Sequence, residues 1–288
     1  GIIVVNKPQG WTSFDVIAKL RGVFATKKIG HSGTLDPMAT GVLPLFVGRA
    51  VKAVDMQQES GKRYTATVLF GQKTDTGDIT GEVLQTASCR ITCAELQAVL
   101  PQFVGEIEQI PPMYSAIKID GQPLYKLARK GQTVKREPRK ITIQAINYIE
   151  EKTENTFVLD VVCSKGTYIR TLLEDIGMAL GVPATMAGLV RTQSGPYTLA
   201  QSYTLQQLQS AKEDGSLESL LAPVESIFTL FERVDCDAET YKRMQNGAPT
   251  KVPHKDQQYK LYYENNFIGI VEVKEGKMQP VKLFIERN

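Results

Sequence analysis

GHSGTLDPMATG, residues 30–41, is nearly uncharged in a chain of which 23% of the residues are charged. Its glycines and its proline disfavour a helix and a strand, so we expect a loop. One carboxylate, Asp36, stands in the middle of this segment. The pair Asp36-Pro37 is typical of a helix start, and the local residues alone favour that interpretation. The alternative is a loop that approaches a ligand closely and holds a carboxylate ready for chemistry.

Several enzyme classes are disfavoured by the residues that accompany Asp36. A glycosidase needs a second carboxylate as proton donor, and no partner acid stands out. His31, Ser32 and Asp36 lie too close together in one loop to adopt triad geometry, and the chain has no G-x-S-x-G motif. The turn at residues 164–166 suits an anion, but it lacks the Walker spacing that nucleoside triphosphates require.

Length and composition indicate a globular protein of roughly two domains. The chain has 288 residues, 42% of them hydrophobic, and no stretch approaches the roughly 18 apolar residues of a membrane span. The opening GIIVVNKP lacks the basic region and cleavage site of a signal peptide, so we interpret it as a strand. The four thiols support neither a zinc site nor a disulfide framework, and they favour a reducing cytoplasm. They are Cys89, Cys93, Cys163 and Cys236.

Hydrophobic spacing predicts a strand, a helix and a second strand around the opening segment. Residues 2–5 are expected to form a buried strand, and Thr12 is expected to cap a helix. The apolar face of that helix carries Phe14, Ile17, Leu20 and Phe24. Strict alternation over residues 63–71 predicts a strand with one buried face. That face carries Tyr64, Ala66, Val68 and Phe70.

Further along, Thr92 and Glu95 form a capping box that opens another helix. Residues 157–163 predict a strand, and a helix with a continuous apolar stripe is expected to begin near Thr167. Arg170 then lies in the first turn, where the helix dipole disfavours a cation. A nearby anion would explain this arginine, and a tolerated surface position is an equal alternative.

Residues 111–141 differ in composition from the rest of the chain. They hold eight lysines and arginines against Asp120 and Glu137, a net charge of +6 compared with +3 for the whole chain. Two tyrosines are interleaved, and the hydrophobic periodicity is weak. A solvated charged face is the usual explanation of such a run, but the local imbalance favours a flexible arm that lies on a polyanion.

The C-terminal part predicts a small β-rich module. Residues 217–228 are expected to be helical around Pro223, with a domain boundary near residues 231–234. Asp237 can cap a short helix that ends at Asn246-Gly247. The segments KLYYE, FIGIVEV and VKLFI then predict short strands, separated by turns at residues 265–266 and 275–276.

Five blocks of sequence, spread in order along the chain, carry a family resemblance. They are N-K-P-x-G-x-T-S (residues 6–13), G-H-S-G-T-L-D-P-x-A-T-G-x-L-P (30–44), R-Y-x-A (from 63), F-G-x-x-T-D-T-x-D (from 70) and C-S-K-G-T-Y-I-R-T-L (163–172). Together they resemble the TruB family, the tRNA pseudouridine-55 synthases. One such block would be suggestive, but five in the right order are specific. Residues 233–288 resemble, more loosely, a short PUA domain, which is an RNA-binding module.

The resemblance implies an α+β pseudouridine synthase fold with a mixed, largely antiparallel central sheet, followed by a PUA-like domain. We expect the catalytic domain over residues 1–232, with residues 111–141 as an RNA-binding thumb, and the PUA-like domain over residues 233–288. The implied reaction converts the uridine at position 55 in the tRNA T loop to pseudouridine. It cleaves the bond between the base and the ribose C1′, turns the base and rejoins it through C5. The resemblance implies no metal, nucleotide or redox cofactor.

The resemblance also implies roles for single residues. Asp36 matches the essential aspartate, which attacks the base or the sugar, or assists proton removal from the ribose. Tyr64 matches the tyrosine that stacks on the flipped uracil and is a candidate for handling its C5 proton. Arg170 matches the arginine that pairs with the aspartate. Further matches are Lys7 as a supporting cation, His31 in flipping the T-loop uridine, Tyr168 as pocket wall and Leu189 as apolar base contact.

The expected partner is tRNA, bound at its T arm by the thumb, in which Arg129 and Lys130 are expected to contact RNA. We expect a monomer that acts in the cytoplasm and has no membrane partner. Two other functions stay open. A guide-RNA-dependent relative from box H/ACA particles shares the catalytic blocks, but the bacterial-type basic arm and the short C-terminal module argue against it. An RNA-binding or RNA-folding protein with incidental modification activity is the other.

Overall fold

The computed structural model describes residues 1–56, 61–119 and 121–285, which form a large sheet, a smaller C-terminal sheet and two short hairpins, with helices between them. Asp120 of the predicted arm and residues 286–288 of the predicted C-terminal module lie outside the described residues. No helix in the described part of the chain is long and apolar enough to cross a membrane.

The strands of the first half are β1 (Ile2–Lys7), β2 (Ile29–His31), β3 (Thr40–Val47), β4 (Lys62–Phe70), β5 (Gln72–Thr74), β6 (Val83–Thr86), β7 (Gly105–Gln109), β8 (Lys118–Ile119) and β9 (Gln122–Pro123). Those of the second half are β10 (Arg139–Thr153), β11 (Thr156–Cys163), β12 (Ala184–Ser194), β13 (Tyr197–Thr198), β14 (Glu232–Asp235), β15 (Thr250–Lys251), β16 (Gln258–Tyr263), β17 (Asn266–Lys274) and β18 (Lys277–Leu283).

The α-helices are α1 (Ser13–Val23), α2 (Cys93–Val99), α3 (Leu124–Ala128), α4 (Ile169–Ala179), α5 (Leu205–Glu213) and α6 (Ala238–Gln245). Short 3₁₀ helices cover Gly48–Met56, Leu100–Phe103, Leu199–Gln201, Leu217–Leu220 and Val224–Ile227. The last two replace the helix predicted around Pro223. That prediction was wrong because proline cannot continue a helix through its own position without losing a hydrogen bond.

The large sheet has the strand order β1-β3-β12-β4-β11-β10-β7, with β2 paired to β3 and β13 paired to β12. Its pairs are antiparallel except for β3 with β12, which is parallel where Gly41 faces Arg191. The predicted mixed, largely antiparallel sheet is therefore confirmed. The parallel contact places the loop before β3 next to the middle of β12.

Strand β4 forms as the alternation predicts. Its side chains Tyr64, Ala66, Val68 and Phe70 are all buried on one face, against the main hydrophobic core. Burying apolar side chains of this size contributes about 1.5–3 kcal/mol each, except for the smaller alanine. This face of the strand packs against the core. The polar groups on the same face, Lys62 and the Tyr64 hydroxyl, lie at the end of the strand that lines the cleft.

Helix α1 begins at the predicted cap, where the Thr12 hydroxyl accepts a hydrogen bond from Asp15 N. Its buried face was predicted only in part, since Ile17 and Leu20 are buried but Phe14 is 63% exposed. The Phe14 ring lies on the outer side of the helix, 5.7 Å from the guanidinium carbon of Arg21. The buried residues that complete the inner face are Ser13, Val16 and Val23.

The opening segment is a loop only over residues 32–39. Its two ends belong to β2 and β3, because Gly30 pairs with Phe46 and Gly41 pairs with Lys7 in the sheet. Asp36 does not begin a helix. Residues 36–39 form a turn in which Ala39 N donates to Asp36 O at 3.0 Å, with Pro37 at its second position. Proline at that position favours a β-turn as readily as it favours a helix start, so the local residues could not separate the two.

The basic arm contains short regular elements that were not predicted: the hairpin β8–β9 and the helix α3. Residues 132–138 have no regular secondary structure before β10 begins at Arg139. The Leu124 side chain is fully buried, which anchors the start of α3. The arm therefore leaves the large sheet after β7 and returns to it at β10, its neighbour.

The C-terminal sheet has the order β14-β16-β17-β18-β15, with α6 capped by Asp237 as predicted. Its first turn lies at residues 264–265, one residue before the predicted position, and its second lies at the predicted residues 275–276. Both turns have positive φ at both positions, as two-residue hairpins of type I′ require. This sheet packs on the outer side of β1 and β3 through a shared cluster of apolar residues. Its buried members include Val4, Phe46, Phe228, Ile270 and Phe284.

Candidate active site

One cleft beside the large sheet collects most of the predicted site residues. Its volume is about 270 Å³, near the lower end of the range for small-ligand sites. The walls come from loop 32–39, β4, β12, the start of the arm and the segment before α4. The lining residues are Gly33, Thr34, Leu35, Asp36, Lys62, Tyr64, Tyr114, Ser115, Ala116, Gly166, Thr167, Tyr168, Ile169, Arg170 and Leu189. Five predicted site residues, Asp36, Tyr64, Tyr168, Arg170 and Leu189, thus meet in this cleft.

Asp36 is held in place by contacts on both sides of it in the loop. Leu35 N donates to the Ser13 hydroxyl at 2.9 Å, and the same hydroxyl donates to Leu35 O at 3.2 Å. On the other side, Lys7 Nζ donates to Pro37 O at 3.2 Å. The start of α1 and the end of β1 therefore fix the backbone that carries the carboxylate.

Arg170 forms an ion pair with Asp36 at the base of the cleft. Arg170 Nε lies 3.0 Å from Asp36 Oδ2, and the arginine side chain is 6% exposed while the aspartate side chain is 35% exposed. The other two guanidinium nitrogens donate to Thr76 O at 2.6 Å and Tyr114 O at 2.7 Å. A cation in the first turn of α4 opposes the helix dipole, and these three oxygen partners offset that cost.

Tyr64 and Leu189 supply an aromatic and an aliphatic wall from adjacent strands. Leu189 of β12 pairs with Ala66 of β4, and Arg191 pairs with Tyr64. Burial raises the pKa of the Tyr64 phenol, so this group keeps its proton at neutral pH. The cleft therefore offers a buried ring face and a neutral hydroxyl next to a carboxylate.

Tyr168 lines the cleft from the residue before α4. Its backbone is clamped by the Gln109 side chain, which accepts from Tyr168 N at 2.8 Å and donates to Tyr168 O at 3.1 Å. Gln109 itself is buried at the end of β7. Burial also raises the pKa of the Tyr168 phenol.

Lys7 and His31, two further predicted residues, lie beside the cleft and not in its lining. Lys7 is 0% exposed and donates to the carbonyl oxygens of Pro8, Trp11 and Pro37. Burial lowers the pKa of Lys7 to about 8, while the negative charge of Asp36 acts in the opposite direction. Burial also lowers the pKa of His31, which makes its imidazole neutral near pH 7.

Arg129 and Lys130, the predicted RNA contacts, lie at the end of α3 and not in the cleft lining. The guanidinium carbon of Arg129 lies 5.5 Å from the centre of the Tyr125 ring. The first residues of the arm do reach the cleft, because Tyr114 lines it and its carbonyl oxygen holds Arg170. The arm is thus joined to the site at one end, and the charges of its Arg129 and Arg139 act on the phenols of Tyr114 and Tyr168, respectively.

Sequence reasoning missed three residues at this site: Lys62, Tyr114 and Arg191. Lys62 could have been found, since it lies two residues before Tyr64 and strand alternation places both on one face. Arg191 is 0% exposed and donates to Val42 O at 2.6 Å, so it holds the start of β3 against β12. Its burial depends on a contact between distant segments, which no local pattern reports.

In the three described ranges, no group of at least three His, Cys, Asp or Glu side chains is placed to hold a metal ion. The four cysteines, all within those ranges, are free thiols. The polar groups that face the cleft are instead a carboxylate, phenols, hydroxyls and cations. Such a set can bind a planar ligand that carries anionic groups and can move protons to or from it.

Family models match most of the chain. The model of the TruB family pseudouridylate synthase N-terminal domain matches residues 21–169, and that of the tRNA pseudouridylate synthase B C-terminal domain matches residues 170–229. The chain belongs to the TruB family. This TruB-family protein is therefore an isomerase that converts uridine to pseudouridine. The second match ends before the C-terminal sheet begins at β14.

Curated relatives resemble this TruB-family chain over nearly its full length. The tRNA pseudouridine synthase B of Pseudomonas putida (strain GB-1) is 46% identical, over 98% of this chain and 95% of the relative. That of Lactiplantibacillus plantarum is 39% identical, over 99% of this chain and 98% of the relative.

Solved structures share the fold. A chain of a Cbf5-Nop10-Gar1 complex superposes with a TM-score of 0.75 at 26% identity, covering 100% of this TruB-family chain and 85% of that chain. A chain of the archaeal box H/ACA sRNP Nop10-Cbf5 complex gives a TM-score of 0.74 at 24% identity, covering 100% and 87%. The predicted pseudouridine synthase fold is confirmed by these likenesses.

Proposed function

We propose that this enzyme isomerises the uridine at position 55 in the T loop of tRNA, and that Asp36 is the essential carboxylate. Membership of the family and relatives named tRNA pseudouridine synthase B support uridine isomerisation in tRNA. The observation that carries the finer proposal is the ion pair of Asp36 with Arg170 in a cleft lined by Tyr64 and Leu189. The cleft is small, so the target base must leave its stack to enter it.

The ion pair suits a carboxylate that reacts under a bound base. A base that covers Asp36 removes water from it and disfavours its charged form, and the Arg170 charge 3.0 Å away offsets this effect. The net reaction breaks the bond from C1′ to N1 and forms a bond from C1′ to C5. The C5 proton is lost, and N1 gains a proton. Attack of Asp36 on the base, attack on C1′ and proton removal from the ribose all fit a carboxylate in this position.

Tyr64 and Leu189 are proposed to hold the flipped uracil between them while it turns. Stacking of a base on an aromatic ring contributes about 1–3 kcal/mol, which offsets part of the cost of flipping. Because Tyr64 is a neutral phenol, its oxygen can accept the C5 proton only if the phenol gives its own proton to another acceptor in the same step. Tyr168 completes the wall. Lys7 supports the Asp36 turn from behind, and His31 is proposed to assist flipping from beside the loop.

The arm over residues 111–141 is proposed to act as a thumb on the T arm of tRNA. It is net +6, and cations that neutralise phosphates add affinity that falls with salt. Arg129 and Lys130 stand at the end of α3, outside the cleft, where a stem that carries the flipped nucleotide would run. We further propose residues 1–232 as the catalytic domain and residues 233–288 as a PUA-like RNA-binding domain, in a monomer that works in the cytoplasm.

A guide-RNA-dependent enzyme is the second candidate, favoured by the structural likeness to chains of Cbf5 complexes. The first of those structures contains Nop10 and Gar1 beside Cbf5, and the second contains Nop10 beside Cbf5. Activity of the purified chain on bare tRNA would separate the two. An RNA-binding or RNA-folding role with incidental modification would instead survive in cells that carry only the Asp36→Asn variant.

The direct test uses unmodified tRNA with tritium at uridine C5, since isomerisation releases that tritium to water. The wild-type chain should release one equivalent from the T loop, and Asp36→Asn should release none while still binding the tRNA. A tRNA whose target uridine is replaced by cytidine is the matched control. No release by the wild-type chain would overturn the proposal.

A further inference from the structure

Lys62, which the mechanism above does not use, stands in the wall of the same cleft. It is the first residue of β4 and lies on the same side of the strand as Tyr64, about 7 Å along it. Gly33 of loop 32–39 lies against it, because a Cβ on Gly33 would be 2.9 Å from Lys62 Nζ. The φ of Gly33 is +99°, so glycine both fits this backbone and leaves room for the ammonium group.

No carboxylate balances this ammonium group in the described part of the chain. Burial lowers the pKa of Lys62 to about 8, and the neighbouring charge of Arg191 acts in the same direction. Cys163 is the residue of β11 that pairs with Lys62 of β4. It cannot supply a negative charge, since burial raises the pKa of its thiol to about 11. Asp36 is already paired with Arg170. Within the described ranges Lys62 has no hydrogen bond and no ion pair.

Arg191 adds a second buried positive charge behind Lys62. Its Nη2 donates to Gly33 O at 3.2 Å, and its Nη1 would be 3.7 Å from a Cβ on Gly33. His31 lies close enough that Arg191 and Lys62 both disfavour its protonation, and burial disfavours it more strongly. Three basic groups therefore converge at one corner of the cleft.

Buried charge without a partner is costly, and the fold keeps it here at the edge of an open cleft. An anion supplied by the ligand would remove that cost. A nucleotide carries its base and its phosphates on different atoms of one sugar, so a base against Tyr64 brings a flanking phosphate within reach of Lys62, about 7 Å along the same strand. We propose that Lys62 Nζ binds a phosphodiester oxygen of the linkage that flanks the flipped uridine. This inference rests on the proposed function, because it assumes that the cleft takes a uridine within RNA.

The test is a thermodynamic cycle between the lysine and the phosphate. Binding of a T-arm stem-loop RNA is measured at equilibrium for wild type, Lys62→Met and Lys62→Arg. The RNA is either unmodified or carries a single neutral methylphosphonate at one of the linkages flanking the target uridine. Lys152→Met is the matched control, since Lys152 is exposed at the opposite end of the same sheet.

Wild type should lose about 10-fold or more in affinity at one flanking linkage, the size expected for a charge-assisted hydrogen bond. Lys62→Met should lose a similar factor on unmodified RNA and nothing further on that methylphosphonate. Its salt dependence should be shallower by about 0.7 in the slope of log affinity against log salt. Lys62→Arg should retain sensitivity to the methylphosphonate, and Lys152→Met should behave as wild type.

The proposal is overturned if wild type is insensitive to both flanking methylphosphonates. It also fails if Lys62→Met remains as sensitive as wild type. The first of these outcomes requires no variant, so a variant that does not fold leaves the test decisive. Tritium release from the unmodified stem-loop by wild type is measured separately. Release without phosphate coupling contradicts the Lys62 contact alone, whereas no release contradicts the proposed function.

Discussion

Arg170 Nε lies 3.0 Å from Asp36 Oδ2, and the other two guanidinium nitrogens of Arg170 are held by the backbone carbonyls of Thr76 and Tyr114. The arginine therefore joins four segments: α4, loop 32–39, the loop after β5 and the first residues of the arm. Neutral carbonyls orient the guanidinium without cancelling its charge, so its full charge acts on the one carboxylate. Charge and orientation are thus supplied by different contacts.

Replacing Arg170 by lysine tests whether orientation matters as well as charge. Arg170→Lys keeps a cation, but a single ammonium nitrogen replaces the planar fork of three guanidinium nitrogens and cannot occupy the three separate positions from which the guanidinium reaches Asp36 and the two carbonyls. We expect the single-turnover rate constant at saturating enzyme to fall by about 100-fold or more. The dissociation constant for tRNA should change by less than about threefold. Rapid-quench tritium release and filter binding measure the two quantities.

Arg63→Lys is the matched control for that experiment. Arg63 pairs with Asp160 at 2.7 Å on the same sheet, but its side chain is 53% exposed. Exposed pairs contribute little, so this variant should keep wild-type kinetics. An equal loss of tRNA affinity and of the rate constant in Arg170→Lys would instead mean that the arginine binds RNA and does not position Asp36.

The basic arm gives a prediction about salt. Replacing Arg129 and Lys130 together by alanine removes two cations from the end of α3, outside the cleft. We expect weaker tRNA binding and a slope of log affinity against log salt that is shallower by about 1.4 to 1.8. The rate at saturating tRNA should stay within a few-fold of wild type. The adjacent exposed lysines Lys27 and Lys28 provide the charge-matched control, and an unchanged salt slope would remove these two residues from the interface.

The regular elements of this fold were predictable because their spacing is local. Strand alternation gave the buried face of β4, and side-chain caps gave the starts of α1, α2 and α6. Asp36-Pro37 shows the limit of such reasoning. The same two residues suit a helix start and a β-turn. Contacts from Ser13 and Lys7, both distant in sequence, stabilise the turn.

The site itself could be predicted only through the family resemblance. Nothing in spacing brings Asp36 to Arg170, because the two are joined by the packing of α4 against the sheet. Lys62 was within reach of strand alternation once Tyr64 had been placed on the buried face. Arg191 was not, since its burial follows from the parallel contact between β3 and β12. Local periodicity reports which face is buried, and it does not report which distant segment covers that face.

Lys62 also predicts how stability depends on pH. Its pKa falls from 10.5 in the unfolded chain to about 8 in the folded protein, mainly because of burial. Below about pH 8 both states are protonated and folding carries the full cost of burying the charge. Between about pH 8 and 10.5 the unfolded state binds more protons, so this cost is relieved as pH rises. Replacing Lys62 by methionine should remove the cost altogether.

We therefore expect Lys62→Met to be more stable than wild type at pH 7, by up to about 3 kcal/mol, and the difference to vanish by about pH 10.5. Urea unfolding at both pH values measures it. Lys7, whose pKa is also lowered, and Cys163, whose pKa is raised, titrate in both proteins and largely cancel in the comparison. A stability difference that does not change between pH 7 and 10.5 would show that Lys62 is not a buried charge.

The close approach of β3 to β12 predicts a sharp difference between two glycines. Gly41 has φ of +101°, and a Cβ there would collide with the backbone carbonyl oxygen of Arg191. Gly48 has φ of +67°, and a Cβ there would meet nothing within 4 Å. Gly48→Ala should therefore cost only the left-handed strain of about 1–2 kcal/mol, whereas Gly41→Ala must also push the two strands apart. We expect the free energy of unfolding in urea to fall by at least about 2 kcal/mol more for Gly41→Ala than for Gly48→Ala. Gly41→Ala should also lose activity, because Arg191 moves. Equal losses of stability in the two variants would mean that the parallel contact is not tightly packed.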